Sequence, residues 1–347
     1  MRVLIVRLSS MGDLVQTLPA LTDAARARPG IRFDWVVDES FAQVATWHPN
    51  VETVIASAFR RWRREPLSAY RSGEPTAFLK KLRAQKYDLI VDVQCELKSA
   101  LAARLARGPR HGYDRASVHE WGAQFAYQRK YSVSKQQHSI QRMRELLARA
   151  LGYSYLAAEL DYGIDRARLG APALALLEPF LVFIHSTSWT SKCWPDAYWR
   201  ALTERATAAG LGVVLPWGNE AERQRALRIA GANKRAIVLP SLSLTEKAAI
   251  IARAAATVGL DTGLSHIAAA LDIPSVTIYG ATDPARCGAL GGRQLHLASD
   301  FACVNCHQTT CTHKDAVGTE PACLVGITPQ RVWTELQQLL NEVTVYA

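Results

Sequence analysis

The chain has 347 residues and a formal net charge of +10, and 49% of its residues are hydrophobic and 21% charged. This length suits two domains, and the composition excludes a disordered or fibrous protein. No apolar run approaches the roughly 20 residues of a membrane-spanning helix. The positive charge favours an anionic partner and leaves nucleic acid, an acidic membrane surface and phosphorylated small molecules open.

The N-terminus and the seven cysteines bear on the cellular compartment. Arg7 interrupts the first apolar run, so this segment predicts a buried strand and not a signal peptide. Without an export signal we expect a cytoplasmic protein, in which cysteines are free thiols or metal ligands and not a disulfide framework.

The first half of the chain alternates short apolar runs with helical patterns. Such alternation predicts crossover connections and a parallel sheet covered on both faces. The predicted strands are Arg2–Leu8, Phe33–Val37, Val51–Ile55 and Tyr87–Val93, and the predicted helices are Asp13–Arg28, Ser40–Trp47 and Lys98–Arg107.

The alternation restarts in the second half. The predicted strands are Leu181–His185, Gly212–Leu215, Ala236–Leu239, Thr257–Leu260 and Ser275–Tyr279, and the helices are Pro195–Ala209, Glu220–Ala230, Thr245–Ala255 and Ser265–Leu271. We therefore expect an α/β fold of two doubly wound domains, 1–160 and 179–328, with ligands bound beyond the carboxyl ends of the strands. Gly163, Gly170 and Pro172 mark the segment 161–178 as the linker.

The tail of the chain differs from the rest. Residues 301–323 are rich in Cys, His and Thr without periodicity, and residues 329–347 follow with an amphipathic helical pattern. This last helix could pack back on the N-terminal domain.

Asp13 is the first candidate for chemistry. Gly12 permits a tight turn after the first strand, and Asp13 then falls near a helix N-terminus, where the helix dipole favours a carboxylate. As a helix cap it would stabilise the protein by roughly 0.5–2 kcal/mol. Spacing alone does not separate a cap from a general base, and one residue can be both.

Two loops of the second half suit a nucleotide diphosphate. In residues 185–192 a run of hydroxyls ends in Lys192, which is a typical pairing for pyrophosphate. In residues 216–222, Trp217 could stack on a base and Glu222 could bind ribose hydroxyls. A polar surface loop, a core tryptophan and a solvated glutamate are the alternative interpretations.

A third loop, 261–266, lies between a predicted strand and an Ala-rich helix. Gly263 permits close approach of a ligand to the backbone, and the helix start offers N–H groups to phosphate. Asp261 is badly placed to meet a phosphate unless a cation or a sugar hydroxyl lies between them. Thr262 can donate its hydroxyl, whereas His266 alone would more simply pack between layers.

Four arginines surround a tryptophan at residues 60–64, which fits phosphate or carboxylate binding, an anionic membrane surface or a solvated loop. No recognised nucleic-acid motif accompanies them, so we expect no nucleic-acid partner. Neither a Gly-x-Gly-x-x-Gly turn nor a Walker lysine motif is present. Asp38, after the second strand, still leaves a dinucleotide-dependent oxidoreductase open.

Taken in order, these segments resemble the lipopolysaccharide heptosyltransferases of glycosyltransferase family 9, most closely the members that add the first heptose. The similarity runs nearly to residue 290. The matching stretches are Arg7–Asp13, Thr17–Asp23, Phe33–Val37, Arg60–Arg63, Lys98–Ala100, Lys135–His138, Leu215–Gly218, Asp261–His266, Ala268–Leu271 and Tyr279–Pro284.

The resemblance implies a GT-B fold, in which two Rossmann-like domains face a central cleft. It implies an inverting transfer of L-glycero-D-manno-heptose from ADP-heptose to the first Kdo of Kdo2-lipid A, at the cytoplasmic surface of the inner membrane and without a required cofactor. A related heptosyltransferase with another acceptor, such as one adding the second inner-core heptose, is the main alternative. A non-catalytic basic protein of lipid surfaces would leave the donor loops unexplained.

The resemblance also implies roles for individual residues. Asp13 matches the catalytic base. The predicted donor-binding residues are Thr187, Ser188, Lys192, Trp217, Glu222, Asp261, Thr262, Gly263, Leu264 and His266. The predicted acceptor-binding residues are Ser10, Arg60, Arg61, Arg63, Arg64 and Lys98.

Three features depart from the family pattern. Gln94-Cys95-Glu96 replaces a common Gln-Gly-Leu, and His119 stands where an arginine is expected, so the acceptor loops could differ in shape. The third is the tail, where a tetrahedral zinc site and ordinary thiols are equally compatible with the spacing, and no metal is predicted. Its cysteines are Cys303, Cys306, Cys311 and Cys323, with His307 and His313 nearby.

Overall fold

The computed structural model describes residues 1–170, 174–316 and 320–346, with side chains up to residue 341. The chain divides into two compact units, Met1–Arg168 and Leu169–Ala347. The division falls inside the segment 161–178, where the linker was expected. Three parts of the sequence predictions lie outside the described residues: Pro172 of that linker, residues 317–319 of the cysteine-rich segment and Ala347 of the last helix.

The first unit is built on a six-stranded sheet of order β3-β2-β1-β4-β5-β6, and every pairing is parallel. Its strands are β1 (Arg2–Val6), β2 (Arg32–Asp38), β3 (Val51–Ser57), β4 (Leu89–Asp92), β5 (Arg110–Tyr113) and β6 (Arg129–Tyr131). Its helices are α1 (Met11–Ala27), α2 (Ala42–Ala45), α3 (Phe59–Arg64), α4 (Pro66–Ser72), α5 (Glu74–Arg83), α6 (Leu97–Leu105) and α7 (Ser139–Leu151).

The second unit repeats this plan with the order β12-β11-β10-β7-β8-β9, again all parallel. Its strands are β7 (Phe180–Ile184), β8 (Gly212–Leu215), β9 (Ala236–Val238), β10 (Ala256–Leu260), β11 (Ser275–Tyr279) and β12 (Gln294–Ala298). Its helices are α8 (Asp196–Ala208), α9 (Glu220–Ala230), α10 (Leu244–Ile251), α11 (Gly263–Ala270), α12 (Pro284–Cys287), α13 (Ala322–Val325) and α14 (Pro329–Tyr346).

The two sheets confirm the predicted pair of doubly wound α/β domains. Strands β1 and β10 lie inside their sheets and are buried along most of their length, as their unbroken apolar sequences require. The loops that follow them therefore emerge near the middle of a sheet edge. This is where doubly wound folds place their ligands.

Helix α1 begins earlier than predicted. Ser10 is the N-cap in an extended conformation, so Met11, not Asp13, is the first helical residue. The helix packs on α7, and the buried Arg144 of α7 pairs with Asp23 at 2.6 Å. This pair joins the first helix of the unit to its last.

Helix α14 belongs to the second unit. Its side chains Val332, Trp333 and Leu336 are buried in the core that β10 and β11 share with α8. The expected packing of this helix on the N-terminal domain stays a prediction. The apolar face is covered within its own unit.

Candidate active site

Asp13 occupies the third position of α1 and is held on both carboxylate oxygens. Oδ2 accepts hydrogen bonds from the Ser10 backbone N–H and hydroxyl, both at 2.7 Å, and Oδ1 lies 2.6 Å from the Arg7 guanidinium. The side chain remains 32% exposed. Asp13 thus completes a capping box, which is the first of the two roles that the sequence left open. The carboxylate is also fixed and open to solvent, as the second role, a general base, requires.

Arg7 was not predicted as a site residue. Its side chain is nearly buried, and it also donates a hydrogen bond to the Val93 carbonyl at 3.1 Å. The guanidinium therefore fixes the orientation of the Asp13 carboxylate. The signal was present in the sequence, because a buried arginine at the end of an apolar strand must find a carboxylate or carbonyl partner.

The loop after β4 brings Lys98 to the same sheet edge. The Lys98 ammonium lies 3.2 Å from the Ser9 hydroxyl and 3.0 Å from the Glu96 carboxylate. Cys95 adopts a φ of 54°, in the left-handed region that glycine occupies readily. The loop therefore keeps a glycine-like backbone although cysteine replaces the expected glycine.

His119 stands close to the same charged groups. Burial and then the Arg7 guanidinium lower the pKa of His119, while the carboxylates of Glu96 and Asp13 raise it by less. The net effect favours a neutral imidazole at pH 7. A neutral ring can accept or donate a proton but cannot supply the positive charge of the arginine expected at this place.

Helix α3 divides the arginine run into two groups. Arg61 bridges the carboxylates of Glu39 and Glu74, at 2.9 and 2.7 Å. Trp62 turns inward and donates its indole N–H to Glu74 at 2.9 Å, so the arginines do not surround an exposed ring. These contacts hold Arg61 in two ion pairs, although its side chain remains 44% exposed. Arg60, Arg63 and Arg64 are exposed as well.

An apolar patch, defined by Leu97, Leu101, Trp121 and Phe125, flanks Lys98. Its four side chains are 51 to 72% exposed. The Trp121 and Phe125 rings meet edge to face with centroids 6.1 Å apart, and both leucines lie on one side of α6. A contiguous exposed patch of this composition is typical of an interaction surface.

In the second unit, Asp261 is the centre of a buried polar cluster. Its Oδ2 lies 2.6 Å from the Lys192 ammonium and accepts a 2.6 Å hydrogen bond from the Thr282 hydroxyl, and its Oδ1 lies 3.7 Å from His266 Nε2. Burial alone would raise the pKa of Asp261, but His266 and the charge of Lys192 outweigh it and hold that pKa well below its usual range. The sequence analysis required a cation or a sugar hydroxyl between Asp261 and a phosphate. Lys192 is a cation in contact with Asp261.

The loop that carries Lys192 is also tied to this cluster. Thr187 donates its hydroxyl to the Asp261 carbonyl at 3.3 Å, and the Lys192 ammonium lies 4.2 Å from the centre of the Trp189 ring. Ser188 is exposed beside them. The lysine is therefore pre-positioned by a carboxylate and an aromatic face.

Helix α11 begins beside the same carboxylate. Thr262 is its N-cap with an extended backbone, and Gly263 and Leu264 are its first two residues. Gly259, which lies in β10 just before this loop, has no space for a side chain, since a Cβ there would lie 2.4 Å from the Ser265 hydroxyl oxygen. This close packing of strand and helix fixes where the α11 N-terminus points.

Trp217 and Glu222 follow β8 at the same edge. The Trp217 indole N–H donates to the Leu239 carbonyl, and the Glu222 carboxylate accepts from the Gly218 N–H at 2.7 Å. Both side chains are half-buried, so each is anchored and still reachable. Trp217 is therefore not a core tryptophan, and Glu222 is not a fully solvated glutamate, which were the alternatives that the sequence left open.

Thr282 and Lys247 are the residues of this unit that sequence reasoning missed. Lys247 is 8% exposed; burial lowers its pKa, and the charge of Glu222 raises it by less. A lone lysine within the apolar sequence of α10 was the available signal. Thr282 lies in the loop after β11. The expectation that ligands bind beyond the carboxyl ends of strands points to this loop but to no particular residue in it.

The cysteines of the tail line one cavity of about 200 Å³, together with His313. Within the described residues, no group of three or more His, Cys, Asp or Glu side chains is placed to hold a metal ion. His307 is not among the lining residues. The four thiols on the cavity wall are Cys303, Cys306, Cys311 and Cys323.

The arrangement defines a class of protein. One unit presents a fixed carboxylate at a strand end, and the other presents a lysine, hydroxyls and a helix start suited to a diphosphate. Together these are the parts of a glycosyltransferase that uses a nucleotide-activated sugar. The loops after β1 and β10 do not contain the Gly-x-Gly-x-x-Gly sequence with which dinucleotide-dependent enzymes bind phosphate.

Comparison with known proteins gives the particular family. The model of glycosyltransferase family 9 (heptosyltransferase) matches residues 76–317, so the chain belongs to this family and is a glycosyltransferase. Lipopolysaccharide heptosyltransferase 1 of Pseudomonas aeruginosa is 47% identical over 350 residues, 98% of each chain. The enzyme of that name from Escherichia coli K12 is 46% identical over 297 residues, 85% of this chain and 92% of its own.

A solved structure gives the same answer for the fold. The structure of E. coli heptosyltransferase WaaC with ADP matches with a TM-score of 0.85 at 41% identity, covering 98% of this chain and 100% of that one. The predicted GT-B fold is thereby confirmed. Family membership also rules out the oxidoreductase that Asp38 had left open; its carboxylate instead accepts from the Ser40 N–H at 3.1 Å.

Proposed function

We propose that this protein transfers L-glycero-D-manno-heptose from ADP-heptose, with inversion, to the first Kdo of Kdo2-lipid A in the lipopolysaccharide inner core. The observation that carries the proposal is the Asp13 carboxylate, held by Arg7 and Ser10 and yet open to solvent. Similarity to lipopolysaccharide heptosyltransferase 1 along almost the whole of both chains supports the choice of substrates.

In the proposed reaction Asp13 is the general base. It takes the proton of a Kdo hydroxyl while that oxygen forms a bond to the anomeric carbon of heptose and the bond from that carbon to ADP breaks. Attack from the face opposite the leaving group inverts the configuration. Arg7 and Ser10 keep the carboxylate oriented, so little reorganisation is needed at the moment of reaction.

The donor would bind to the second unit. Lys192 and the N–H groups at the start of α11 supply positive potential to the departing diphosphate, which is the charge that develops as the reaction proceeds. Glu222 and Trp217 are suited to the ribose and the base. With these groups in place we expect the transfer itself to need no cofactor. In support, WaaC, at 41% identity, has been solved with ADP and with ADP-2-deoxy-2-fluoro heptose.

The acceptor proposal extends to a lipid surface. None of the helices that the structure describes is long and apolar enough to cross a membrane. The apolar patch beside Lys98 suits contact with the lipid portion of the acceptor or with the bilayer that holds it. The exposed arginines of α3 suit lipid phosphates and Kdo carboxylates. We therefore propose peripheral association with the cytoplasmic face of the inner membrane.

An acceptor assay tests the proposal. The purified protein is given ADP-heptose with either Kdo2-lipid A or the already heptosylated core, and products are identified by mass spectrometry. We expect heptose transfer to Kdo2-lipid A alone. Transfer only to the heptosylated core would establish the alternative, a heptosyltransferase that extends the inner core. No transfer to either acceptor, with intact ADP-heptose binding, would overturn the proposed acceptor class.

A further inference from the structure

Glu96 is one of the residues that depart from the family pattern, and the proposed reaction makes no use of its carboxylate. It is the N-cap of α6, in the loop after β4, with an extended backbone. Its side chain is 31% exposed, and its carboxylate lies 3.0 Å from the Lys98 ammonium. The leucine that is common at this position would offer no such contact.

The Glu96 carboxylate closes a ring of polar contacts between the loop after β1 and the loop after β4. The Leu8 N–H donates to the Gln94 side-chain oxygen at 2.7 Å, and the Gln94 side-chain N–H donates to Glu96 at 2.9 Å. Lys98 contacts the same Glu96 oxygen and donates to the Ser9 hydroxyl at 3.2 Å. Side chains therefore join the two loops beyond the last pairing of their strands.

The support of this ring is buried and hydrogen bonded. Gln94 is 1% exposed, and Asp92 is fully buried. One Asp92 oxygen accepts from the Gln94 backbone N–H at 3.0 Å and from that of Cys95 at 2.8 Å. The other accepts from the Tyr127 hydroxyl at 2.7 Å. Gln94 is therefore a fixed point from which Glu96 is held.

The ring leaves Lys98 able to bind a ligand. An ammonium has three N–H donors. Glu96 and Ser9 take two of them, the described part of the chain provides no third partner, and the side chain is 37% exposed. A lysine that is already ordered loses less conformational entropy on binding an anion than a freely rotating one does.

The same ring also connects Lys98 to the loop of the proposed base. Ser9, which accepts from Lys98, is followed by Ser10, whose N–H and hydroxyl hold the Asp13 carboxylate. The base and the lysine are thus fixed to consecutive residues of one loop. An acceptor whose hydroxyl reaches Asp13 brings its own anionic groups to this edge of the sheet.

We propose that Glu96 is a positioning residue, which holds Lys98 against Ser9 and so keeps the third N–H of the ammonium available to an anionic oxygen of the acceptor. Glu96 acts through Lys98 and takes no part in the transfer. The identity of the acceptor rests on the proposed function, whereas the positioning of Lys98 does not.

Glu96→Gln and Glu96→Leu separate positioning from charge. Both variants remove the negative charge, but only glutamine keeps an oxygen that can accept from Lys98 and Gln94. We expect the KM for Kdo2-lipid A to be about three- to tenfold higher in Glu96→Leu than in Glu96→Gln, because the freed lysine must be ordered on binding. The KM for ADP-heptose should be equal in the two, since the donor loops lie in the other unit. Equal KM values for the acceptor, or a parallel rise in the KM for ADP-heptose, would overturn the proposal.

Lys98→Ala tests whether Glu96 acts through Lys98. When it is combined with each variant, the difference between Glu96→Gln and Glu96→Leu should disappear. A difference that persists would show that Glu96 acts through the start of α6 or another group, and the proposal would be wrong.

Glu52→Leu is the matched control. It removes a carboxylate that pairs with Arg32 at 2.9 Å at the opposite ends of the strands. Both KM values should stay at the wild-type level. An acceptor KM raised as much as in Glu96→Leu would mean that loss of any ion pair has this effect, against the proposal.

Trace acetylation followed by peptide mass spectrometry measures the restraint on Lys98 without any substrate. We expect Lys98 to react severalfold faster in Glu96→Leu than in Glu96→Gln, with Lys81, whose ammonium donates to the Val54 carbonyl at 2.7 Å, as the unchanged reference. Equal reactivity would refute the positioning even if heptose transfer is confirmed. Faster labelling without transfer to Kdo2-lipid A would refute the proposed function and support the positioning.

Discussion

At the scale of single residues, a charged candidate residue of each unit is held by the same kind of contact. In each, the charged group is fixed by a partner of opposite charge at 2.6 Å: Arg7 for Asp13, and Asp261 for Lys192. The partners are nearly buried, whereas Asp13 itself remains partly exposed. The partner thus sets the orientation of the charged group, and Asp13 stays accessible to solvent.

Asp13→Asn tests the base. The amide keeps the size of the side chain but cannot take a proton, so we expect kcat to fall by about 10²–10⁴-fold. ADP binding, measured by calorimetry, should be unchanged, because Asp13 lies in the other unit from the donor loops. Ser10→Ala serves as the comparison, since it removes one hydrogen bond to the carboxylate and should cost far less. Near-normal turnover by Asp13→Asn would disprove the assignment.

Thr282→Val tests the Asp261 cluster. Valine has the shape of threonine but removes the 2.6 Å hydrogen bond to Asp261. A hydrogen bond to a charged group stabilises by about 1.5–3 kcal/mol, so ADP binding weaker by about tenfold to a hundredfold is expected. Thr282→Ser, which keeps the hydroxyl, should restore most of the affinity. If valine and serine bind ADP equally well, the hydroxyl does not position the cluster.

The residues that the sequence revealed are those whose role is local. Asp13 at a strand-to-helix turn and Lys192 after a run of hydroxyls could be picked from spacing. Thr282 could not be assigned a role, because its partner Asp261 follows a different strand. Arg7 was overlooked although its partner Asp13 is only six residues away. A pairing across the fold is set by tertiary structure, which one sequence does not display.

At the scale of helices and strands, the buried apolar strands were the elements that the sequence predicted most accurately. The central strands β1, β2 and β4 of the first sheet and β7, β8, β10 and β11 of the second are rich in apolar residues and were predicted within one or two residues. Strands β5, β6 and β12 were missed, because their sequences Arg-His-Gly-Tyr, Arg-Lys-Tyr and Gln-Leu-His-Leu-Ala lack an unbroken apolar run. The helices α3, α4, α5 and α7 were missed as well, and in α3 the run of arginines hid the helical pattern.

The apolar patch on α6 and the 121–125 segment leads to a prediction about membrane contact. Trp121→Ser combined with Phe125→Ser removes two aromatic side chains that are 69% and 72% exposed, so the fold should be little affected. We expect weaker binding to vesicles that contain anionic lipid, and a raised KM for Kdo2-lipid A in vesicles with an unchanged KM for ADP-heptose. Burial of aromatic side chains at a membrane interface is the contribution that is lost.

Leu156→Ser is the matched control for this pair. Leu156 is 66% exposed in the same unit but is not part of the patch. Vesicle sedimentation should then match the wild type. If Leu156→Ser weakens sedimentation as much as the double variant does, the patch is not a specific contact surface.

At the scale of the whole molecule, two buried histidines contribute to the dependence of stability on pH. Burial lowers the pKa of His48 to about 4 and that of His185 to about 3. In the unfolded chain both rings take up a proton near pH 6.5, so the unfolded state binds more protons as the pH falls. Folding stability contributed by these rings is present above pH 6.5 and is lost below it.

Asp92 acts in the opposite sense, since burial raises its pKa to about 6 and the folded state then binds the extra proton. Two histidines outweigh one aspartate, so we expect the free energy of unfolding to fall between pH 7 and pH 5. Each histidine should contribute about 1–2 kcal/mol to this change. Urea unfolding at several pH values measures it, and His48→Gln should flatten the dependence. A stability that rises steadily toward pH 5 would contradict this balance.

The buried pair of Arg144 and Asp23 has a consequence for synthesis of the chain. Helix α1 leaves the ribosome early, but its partner α7 lies more than a hundred residues later and supplies the guanidinium that Asp23 requires. Until then the nascent first unit exposes an apolar helix face and an unpaired carboxylate. Fragments that stop before Ser139 should therefore depend on chaperones, whereas those that extend beyond Leu151 carry what the unit needs to close its own core.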